Sequence, residues 1–482
     1  MILSAIRENI PTEVIQLISA DIAWHFMVLP YEKSGQSLSF YMAETNKFKD
    51  IDNELEILLG YHIKIELTDE ESLRKELSKY YRKSENRQSR VKKIEIDANS
   101  GNFLNTLIDE SIQLGCSDIH IEPFEDKCRI RFRIDGVLIE RFLIEKSEFP
   151  SLVNKIKIQA NLDIAEKRLP QDGRIFIGNH KSGKMDIRVS VLPTLHGEKV
   201  VLRLLRSNFE NISIEKLGFN EADKEIYLEG VRRPHGMILI SGPTGSGKTT
   251  SLYATLILLN QIERNILTIE DPIEYTLEGI NQVQLKESIG LDFPSALRTF
   301  LRQDPDTIMV GEIRDKDTAS MAIRASLTGH LVLSTIHTNS AWGIVARLID
   351  MGIPEYLLAD TLNTAVAQRL VRRLCTFCKE KIPVTKDIYP PQYKPPFEID
   401  FHYTSKGCDE CFHTGYKGRQ AVYEVISIDN ELANYIKEAK LNIAKILAAK
   451  GFRSLADNSF DLFAKGITSI KEVYPILASD SK

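Results

Sequence analysis

An α/β fold organised around a largely parallel sheet is predicted by three observations. From about residue 217 onward, short apolar strands alternate with helices, the pattern of βαβ units. One of those strands, Met237–Ile240, runs through Gly242-Pro243-Thr244-Gly245-Ser246-Gly247-Lys248-Thr249 into a helical stretch, Thr249–Asn260. Two CxxC pairs, Cys375/Cys378 and Cys408/Cys411, then interrupt the α/β pattern.

A 482-residue chain that is 43% hydrophobic and 27% charged has core enough for about two to four domains. Its 62 Lys and Arg against 67 Asp and Glu leave a net charge of −5. That balance excludes a broadly basic, nucleic-acid-coating surface, though not a local basic patch. Arg7 and Glu8 stand where a signal peptide needs an unbroken apolar stretch. The longest apolar runs, such as Leu256–Leu259 and Met237–Ile240, fall far short of the ~20 residues that span a bilayer. A cytosolic protein that meets a membrane only through partners is therefore expected.

Residues 1–82 read as a small mixed unit, with Ile10–Ala20 helical, Leu38–Met42 a strand and Glu70–Tyr81 a charged helix. Residues 83–100 form a basic linker. Arg82–Lys93 carries six Lys or Arg with Glu85 as its only acid, the composition of a solvated connector. In 101–206 a helix, Phe103–Leu114, precedes strands at Asp118–Ile121, Cys128–Ile134 and Met185–Val191 that alternate with period two. A second linker, 207–216, leads into the α/β segment 217–482. Within it, 372–420 hold the four cysteines and 421–482 read as helices.

The glycine loop is a phosphate cradle. Gly242, Gly245 and Gly247 permit positive φ and close approach of main-chain N–H groups to phosphate oxygens. Pro243, Thr244, Ser246 and Thr250 complete the loop, and the helix behind it adds its dipole. Lys248 then reaches the β- and γ-phosphates of ATP, and Thr249 ligates Mg²⁺. A second strand, Thr307–Val310, ends in Gly311-Glu312, where Glu312 can hold Mg²⁺ through water or activate the attacking water. A third, Leu267–Glu270, is followed by Asp271 and Glu274, so Glu270 and Glu312 compete as general base. A fourth, Leu331–Thr335, ends at His337, placed to sense the γ-phosphate.

Arg203 lies inside the apolar strand Val200–Leu205, and Arg188 on the polar face of Asp186–Ser190. Each reads either as half of a structural ion pair, with Asp186 or Glu198, or as an arginine finger that reaches ATP held by a neighbouring domain or subunit. The two CxxC hooks suit tetrahedral Zn²⁺ with no open position, a structural site, with His402 and His413 as substitute ligands. Between the hooks, Lys379–Gly407 is proline-rich, strand-poor and short of apolar residues, so metal would supply its stability. Cys116 and Cys128 read as buried thiols.

Eight segments then carry a family resemblance: SDIHIEP (117–123), RFRIDG (131–136), RLPQDGRI (168–175), GPTGSGKTT (242–250), TIEDPIEY (268–275), RQDPDTIMVGEIRD (302–315), LTGHLVLSTIHTN (327–339) and AQRLVRRLC (367–375). In this order they resemble the type II secretion and type IV pilus assembly ATPases, the general secretion pathway protein E family, from about residue 100 to the C-terminus. The resemblance implies a RecA-like P-loop NTPase domain, preceded by a PAS-like α+β domain and a small N-terminal α+β domain, with a zinc-binding insertion. It implies a homo-hexamer holding ATP between the RecA-like domain of one subunit and the PAS-like domain of another. It makes Lys248 and Thr249 the Walker A pair, Gly311-Glu312 the Walker B end, Glu270, Asp271 and Glu274 the aspartate box, His330 and His337 the histidine box, and Arg188 and Arg203 the arginine fingers. It also implies docking to cytoplasmic domains of inner-membrane platform proteins, peripheral to the bacterial inner membrane.

Three departures stand out. Ser340 replaces the Asp that usually follows His-Thr-Asn, a loss of one charge. Gly418–Glu424 reads Gly-Arg-Gln-Ala-Val-Tyr-Glu rather than the commoner Gly-Arg-Thr-Gly-Ile-Tyr-Glu. The first ~90 residues resemble the family's N-terminal domain only loosely and lack the RLG-type repeats by which some relatives bind cyclic-di-GMP, so no such binding is expected. Two rival readings remain: a nucleic-acid motor, which the charge balance disfavours, and a nucleotide-binding regulator without mechanical output, which the doubled acidic motifs and the arginine pair disfavour.

Overall fold

The computed structural model describes residues 10–15, 17–18, 20–43, 51–81, 103–180, 183–206 and 212–479. It divides into two units, Met1–Glu95 and Ile96–Lys482.

In the first unit, Val28–Ser34 and Ser37–Ala43 form a hairpin, and His62–Thr68 adds parallel to the second strand. Alternating residues of these strands and of the helices Ile51–Leu59 and Glu70–Tyr80 supply a core of Leu29, Leu38, Phe40, Leu55, Leu73 and Leu77. Asp69 caps the last helix by accepting from the Ser72 N–H at 2.8 Å. The helix expected over Ile10–Ala20 is instead Thr12–Ile15, and the next begins at Ala20. The basic linker at 83–100 lies outside the described residues.

The second unit begins with helix Phe103–Gln113 and a six-stranded antiparallel sheet. Its spatial order is Val137–Glu145, Lys127–Ile134, Asp118–Pro123, Gly197–Arg206, Gly183–Thr194, Gln171–His180. Period-two alternation buries Ile119, Ile121, Ile130, Phe132, Ile187, Val189, Val200 and Leu202. Charged side chains occupy the alternate positions. Glu122 accepts from Arg131 at 2.7 and 2.8 Å and from Arg129 at 3.1 Å, and lies 3.2 Å from the Lys199 ammonium. Burial alone would raise the Glu122 carboxyl, but these cations overcome it and hold it at about 2. Lys157, wholly buried on helix Phe149–Gln159, pairs with Glu198 at 2.6 Å and donates to the Asp163 and Glu166 carbonyls. Cys116 and Cys128 are buried thiols, Cys116 donating to the Asp118 carbonyl at 3.0 Å, and burial pushes Cys128 up to about 12.

A seven-stranded sheet forms the rest. Its order is Asn281–Gln284, Ile266–Glu270, Thr307–Val310, Leu331–Ile336, Gly236–Ser241, Leu362–Leu374, Tyr416–Ser427, all parallel except the last strand. Four central strands are buried along their whole length because both faces are covered, which is why they are mostly apolar and show no period-two alternation. Two expectations are corrected here. Residues 421–427, read as helical, belong to the last strand, whose two buried faces hide the period-two signal. The stretch between the cysteine hooks is not strand-poor: Lys379–Pro383 and Phe401–Ser405 pair as an antiparallel ribbon. Among the described residues, no helix is long and apolar enough to cross a membrane.

Candidate active site

Strand register builds the site. Ser241 lies beside Ile336 and Ala367, and Val310 beside Ile269 and Ser334. Gly242, His337, Gln368, Glu312 and the acidic segment after Glu270 therefore emerge together at the carboxyl edge, where open α/β sheets take ligands.

The glycine loop is already folded as a cradle. Gly242 has φ +149°, and a Cβ there would meet the Gln368 carbonyl at 2.4 Å and Ser246 Oγ at 2.7 Å. Gly247, at φ +87°, starts helix Lys248–Leu259 from the left-handed region. Gln368 straps the loop, donating to the Ser246 carbonyl at 2.9 Å and accepting from Ser251 Oγ at 2.9 Å. Ser246 Oγ itself is buried with no partner. Thr249 and Thr250 are exposed at the helix start. Lys248 folds back onto the carbonyls of Gly242 (2.8 Å) and Pro243 (3.1 Å). Desolvation lowers its ammonium below the ordinary value; Glu312 opposes that and Arg369 adds to it. Together, the orphaned Ser246 hydroxyl, the glycine cradle and the charged Lys248 fit a nucleotide phosphate chain, with Thr249 and Glu312 as the groups that would hold Mg²⁺.

The two competing carboxylates have different surroundings. Glu270 is buried, and its oxygens accept from Tyr253 Oη, from Thr268 Oγ1 at 2.6 Å and from Gln282 Nε2 at 3.1 Å. Glu312 instead faces ionic partners, Arg314 and His337 Nε2, the latter at 3.6 Å. Asp271 is exposed, near enough to raise the Arg314 pKa together with Glu312. His330 is corrected. It precedes strand Leu331–Ile336, its carbonyl accepting from Gly236 at the amino edge, and its ring meets the Ala325 carbonyl at 2.8 Å. Six strand residues, roughly 20 Å, separate it from the phosphate edge of its own chain.

Neither arginine takes the partners weighed from sequence. Asp186 faces Arg174 at 3.8 Å and Glu198 takes Lys157. Arg203 pairs with Asp118 at 3.0 Å and remains 58% exposed. Arg188 leaves its sheet altogether: it donates to the Ile273 carbonyl at 2.7 Å and lies 3.5 Å from Glu274, while its Nε is buried and unpartnered. Bringing Arg188 to the acidic loop thus needs no second subunit. Asp135 adds a second bridge between the two sheets, accepting from the Gly418 N–H at 2.7 Å.

Sequence reasoning missed Gln368 and Arg369. Arg369 donates to the Gln368 carbonyl at 3.0 Å and to the Asn339 carbonyl at 2.8 Å, which lays its guanidinium across Gly242. The signal was present: a charged residue in an apolar strand, the same argument that singled out Arg203. Ser340, the departure from Asp, accepts from the Gly343 N–H at 3.1 Å and shapes the turn after Asn339.

The four cysteines converge. Cys375–Cys408 and Cys378–Cys411 sulfurs are 3.8 Å apart, Cys408–Cys411 3.7 Å, and all four lie within 4.8 Å of one another. A disulfide would need about 2 Å, whereas a tetrahedron with ~2.3 Å metal–sulfur bonds puts sulfurs about 3.8 Å apart. The cluster could therefore hold zinc. Burial raises Cys411, but N–H donors from Cys408 and Gly415, each 3.2 Å from its sulfur, bring the thiol below its ordinary value. Neither substitute ligand is drawn in: His402 packs against Phe463, and His413 meets Asp409 at 3.1 Å.

A glycine-loop lysine and an acidic strand end at one carboxyl edge define a P-loop ATPase. The chain belongs to the family described as Type II/IV secretion system protein, which matches residues 95–475, and the MshEN domain matches residues 3–87. The latter corrects the loose resemblance expected of the N-terminal unit. Type IV pilus assembly ATPase PilB of Myxococcus xanthus is 40% identical over 98% of this chain and 88% of its own length. Type II secretion system ATPase E of Vibrio cholerae is 46% identical over 79% of this chain and 75% of its own. The crystal structure of the pilus retraction motor PilT with bound ADP covers 78% of this chain and 96% of PilT, at a TM-score of 0.52 and 26% identity.

Proposed function

We propose that the chain is the subunit of a ring-shaped, homo-hexameric motor that couples ATP hydrolysis to assembly of a type IV pilus or a type II secretion pseudopilus. The observation that carries this reading is the bridge from Arg188 to the acidic loop, because it ties a second domain to the loop that flanks the phosphate edge. The pilus is favoured over the pseudopilus because the alignment to the Myxococcus pilus assembly ATPase runs through the N-terminal unit as well. That unit would dock cytoplasmic domains of inner-membrane partners, placing the motor at the membrane.

In the proposed reaction Lys248 and the loop N–H groups hold the β- and γ-phosphates, and Thr249 and Glu312 hold Mg²⁺, which would offset charge on the transferred group. Glu270, held by three uncharged donors, and Glu312, held by Arg314 and His337, are the two candidate bases. Water attacks the γ-phosphorus, its proton passes to one of these carboxylates, and the bond to the β-phosphate oxygen breaks, leaving ADP and phosphate. Arg188 and Arg203 would leave Glu274 and Asp118 for the transferring phosphate of their own chain, and that exchange would swing the two sheets relative to one another.

Mixing chains tests this arrangement. Equimolar Arg188→Ala and Lys248→Ala chains should show no more turnover than the two alone; recovery of activity would mean that the arginine serves a neighbouring subunit. ATPase activity per chain should rise with protein concentration, alongside a six-subunit species by native mass measurement, and a monomer with constant specific activity would sink the ring.

A further inference from the structure

We propose that Arg369, which none of the site assignments above includes, is a γ-phosphate-binding residue supplied by the ATPase sheet of the same chain. The proposal rests on the ATPase reading and deepens it. Arg369 sits two residues beyond Ala367, the register partner of Ser241, and so rises from the sheet beside the first residue of the glycine loop. A Cβ built on Gly242 would lie 3.3 Å from its Nη1. Its Nη2 reaches over that glycine to the carbonyl of Asn339, on the same turn that carries His337, and His337 in turn faces Glu312. The guanidinium therefore connects the loop that holds a β-phosphate with the turn that borders the γ-phosphate.

Charge gives the second argument. Among the described residues, neither Lys248 nor Arg369 has a carboxylate within ion-pair distance; both donate to main-chain carbonyls instead. Two carboxylates face this corner: Glu312 is engaged by Arg314 and His337, and Glu424, whose field partly offsets the burial of Arg369, accepts from the Ala341 and Leu455 N–H groups. Two adjacent cations without anions are costly unless an anion completes the site. Burial lowers the Arg369 guanidinium below its ordinary range, a cost that a phosphate oxygen would reverse. A planar guanidinium can take two oxygens of a terminal phosphate, which an ADP-bound site does not offer. Arg369 would then exchange the Asn339 carbonyl for the γ-phosphate, so that the turn bearing His337 and Ser340 is held when ADP is bound and released when ATP is bound.

The test measures affinity for a non-hydrolysable ATP analogue and for ADP, each with Mg²⁺, by calorimetry on the full chain. Arg369→Ala should weaken the ATP analogue about tenfold or more while changing ADP affinity less than about threefold. Arg369→Lys, which keeps the charge, should recover part of the difference. Arg369→Gln can still donate to the Asn339 carbonyl but carries no charge, and it should behave like Ala. Equal loss for the two nucleotides, or full recovery by Gln, would show a brace for the turn and overturn the proposal. Failure of the wild-type chain to bind either nucleotide would overturn the ATPase reading itself, an outcome distinct from the first.

Discussion

The carboxyl edge of the seven-stranded sheet and the charged face of the six-stranded sheet both gather cations, but they treat them in opposite ways. On the six-stranded sheet one carboxylate, Glu122, is surrounded by Arg129, Arg131 and Lys199, and Asp118 meets both Arg133 and Arg203. Each of those cations has an acid. At the carboxyl edge Lys248 and Arg369 rest on carbonyls, and a buried hydroxyl, Ser246 Oγ, has no partner at all. Satisfied charge holds a fold together, whereas charge left short of partners marks where a ligand is to come. Arg188 links the two regions: it grows from the first and bonds the acidic loop of the second, with its Nε still unpartnered.

The largest effects should come from the unsatisfied side. Lys248→Ala removes the cation that the loop positions and should cut turnover on the order of 10³-fold with the fold unchanged by circular dichroism. Retained activity would erase the distinction between the two regions. Glu312→Gln should lower turnover about 10²-fold or more while ATP remains bound, read by single-turnover kinetics beside equilibrium binding. A comparable loss of affinity would instead assign Glu312 to binding.

The cysteine knuckle is a third case, in which four thiols lack the cation they converge on. The chain should bind one zinc per subunit by metal analysis. Chelation or Cys408→Ser should open the segment between the hooks to proteolysis and lower the thermal midpoint, at a cost of several kcal/mol. An unchanged midpoint after complete metal removal would make the knuckle self-supporting.

The smallest effect sharpens the satisfied side. Glu122→Gln leaves three cations facing a neutral amide and should destabilise the chain by about 3 kcal/mol at neutral pH. Because the folded-state carboxyl is held at about 2, below its ordinary 4.5, its stabilisation is fully present above 4.5 and is lost as pH falls toward 2. The wild-type and variant melting curves should therefore converge between pH 4.5 and 2. A gap that persists undiminished at the acid end would mean that the carboxylate charge is not what the three cations stabilise.

Much of this was legible before any fold was known. The glycine loop, the acidic strand ends and the cysteine hooks are local signals, and each stands where its spacing places it. Residues 421–427 read as helix from sequence because the inner half of strand Tyr416–Ser427, buried on both faces, shows no alternation. His330 and His337 are seven positions apart in one motif, yet the strand between them carries them to opposite edges. Glu270 and Glu312 look equivalent as acids ending apolar strands; only the side chains of Tyr253, Thr268 and Gln282, from three different elements, separate a buried, hydrogen-bonded carboxylate from one facing ionic partners.

The sequence by itself determined the local chemistry: a glycine-rich loop ending in Lys-Thr, acids that end apolar strands, two CxxC hooks and the family to which they belong, since each depends on residue type at short spacing. Tertiary structure alone decided which charges are spoken for. An ion pair is made between residues distant in the chain, as Arg188 and Glu274 or Arg203 and Asp118 are, and no local pattern can tell a cation that has found its acid from one still resting on a carbonyl.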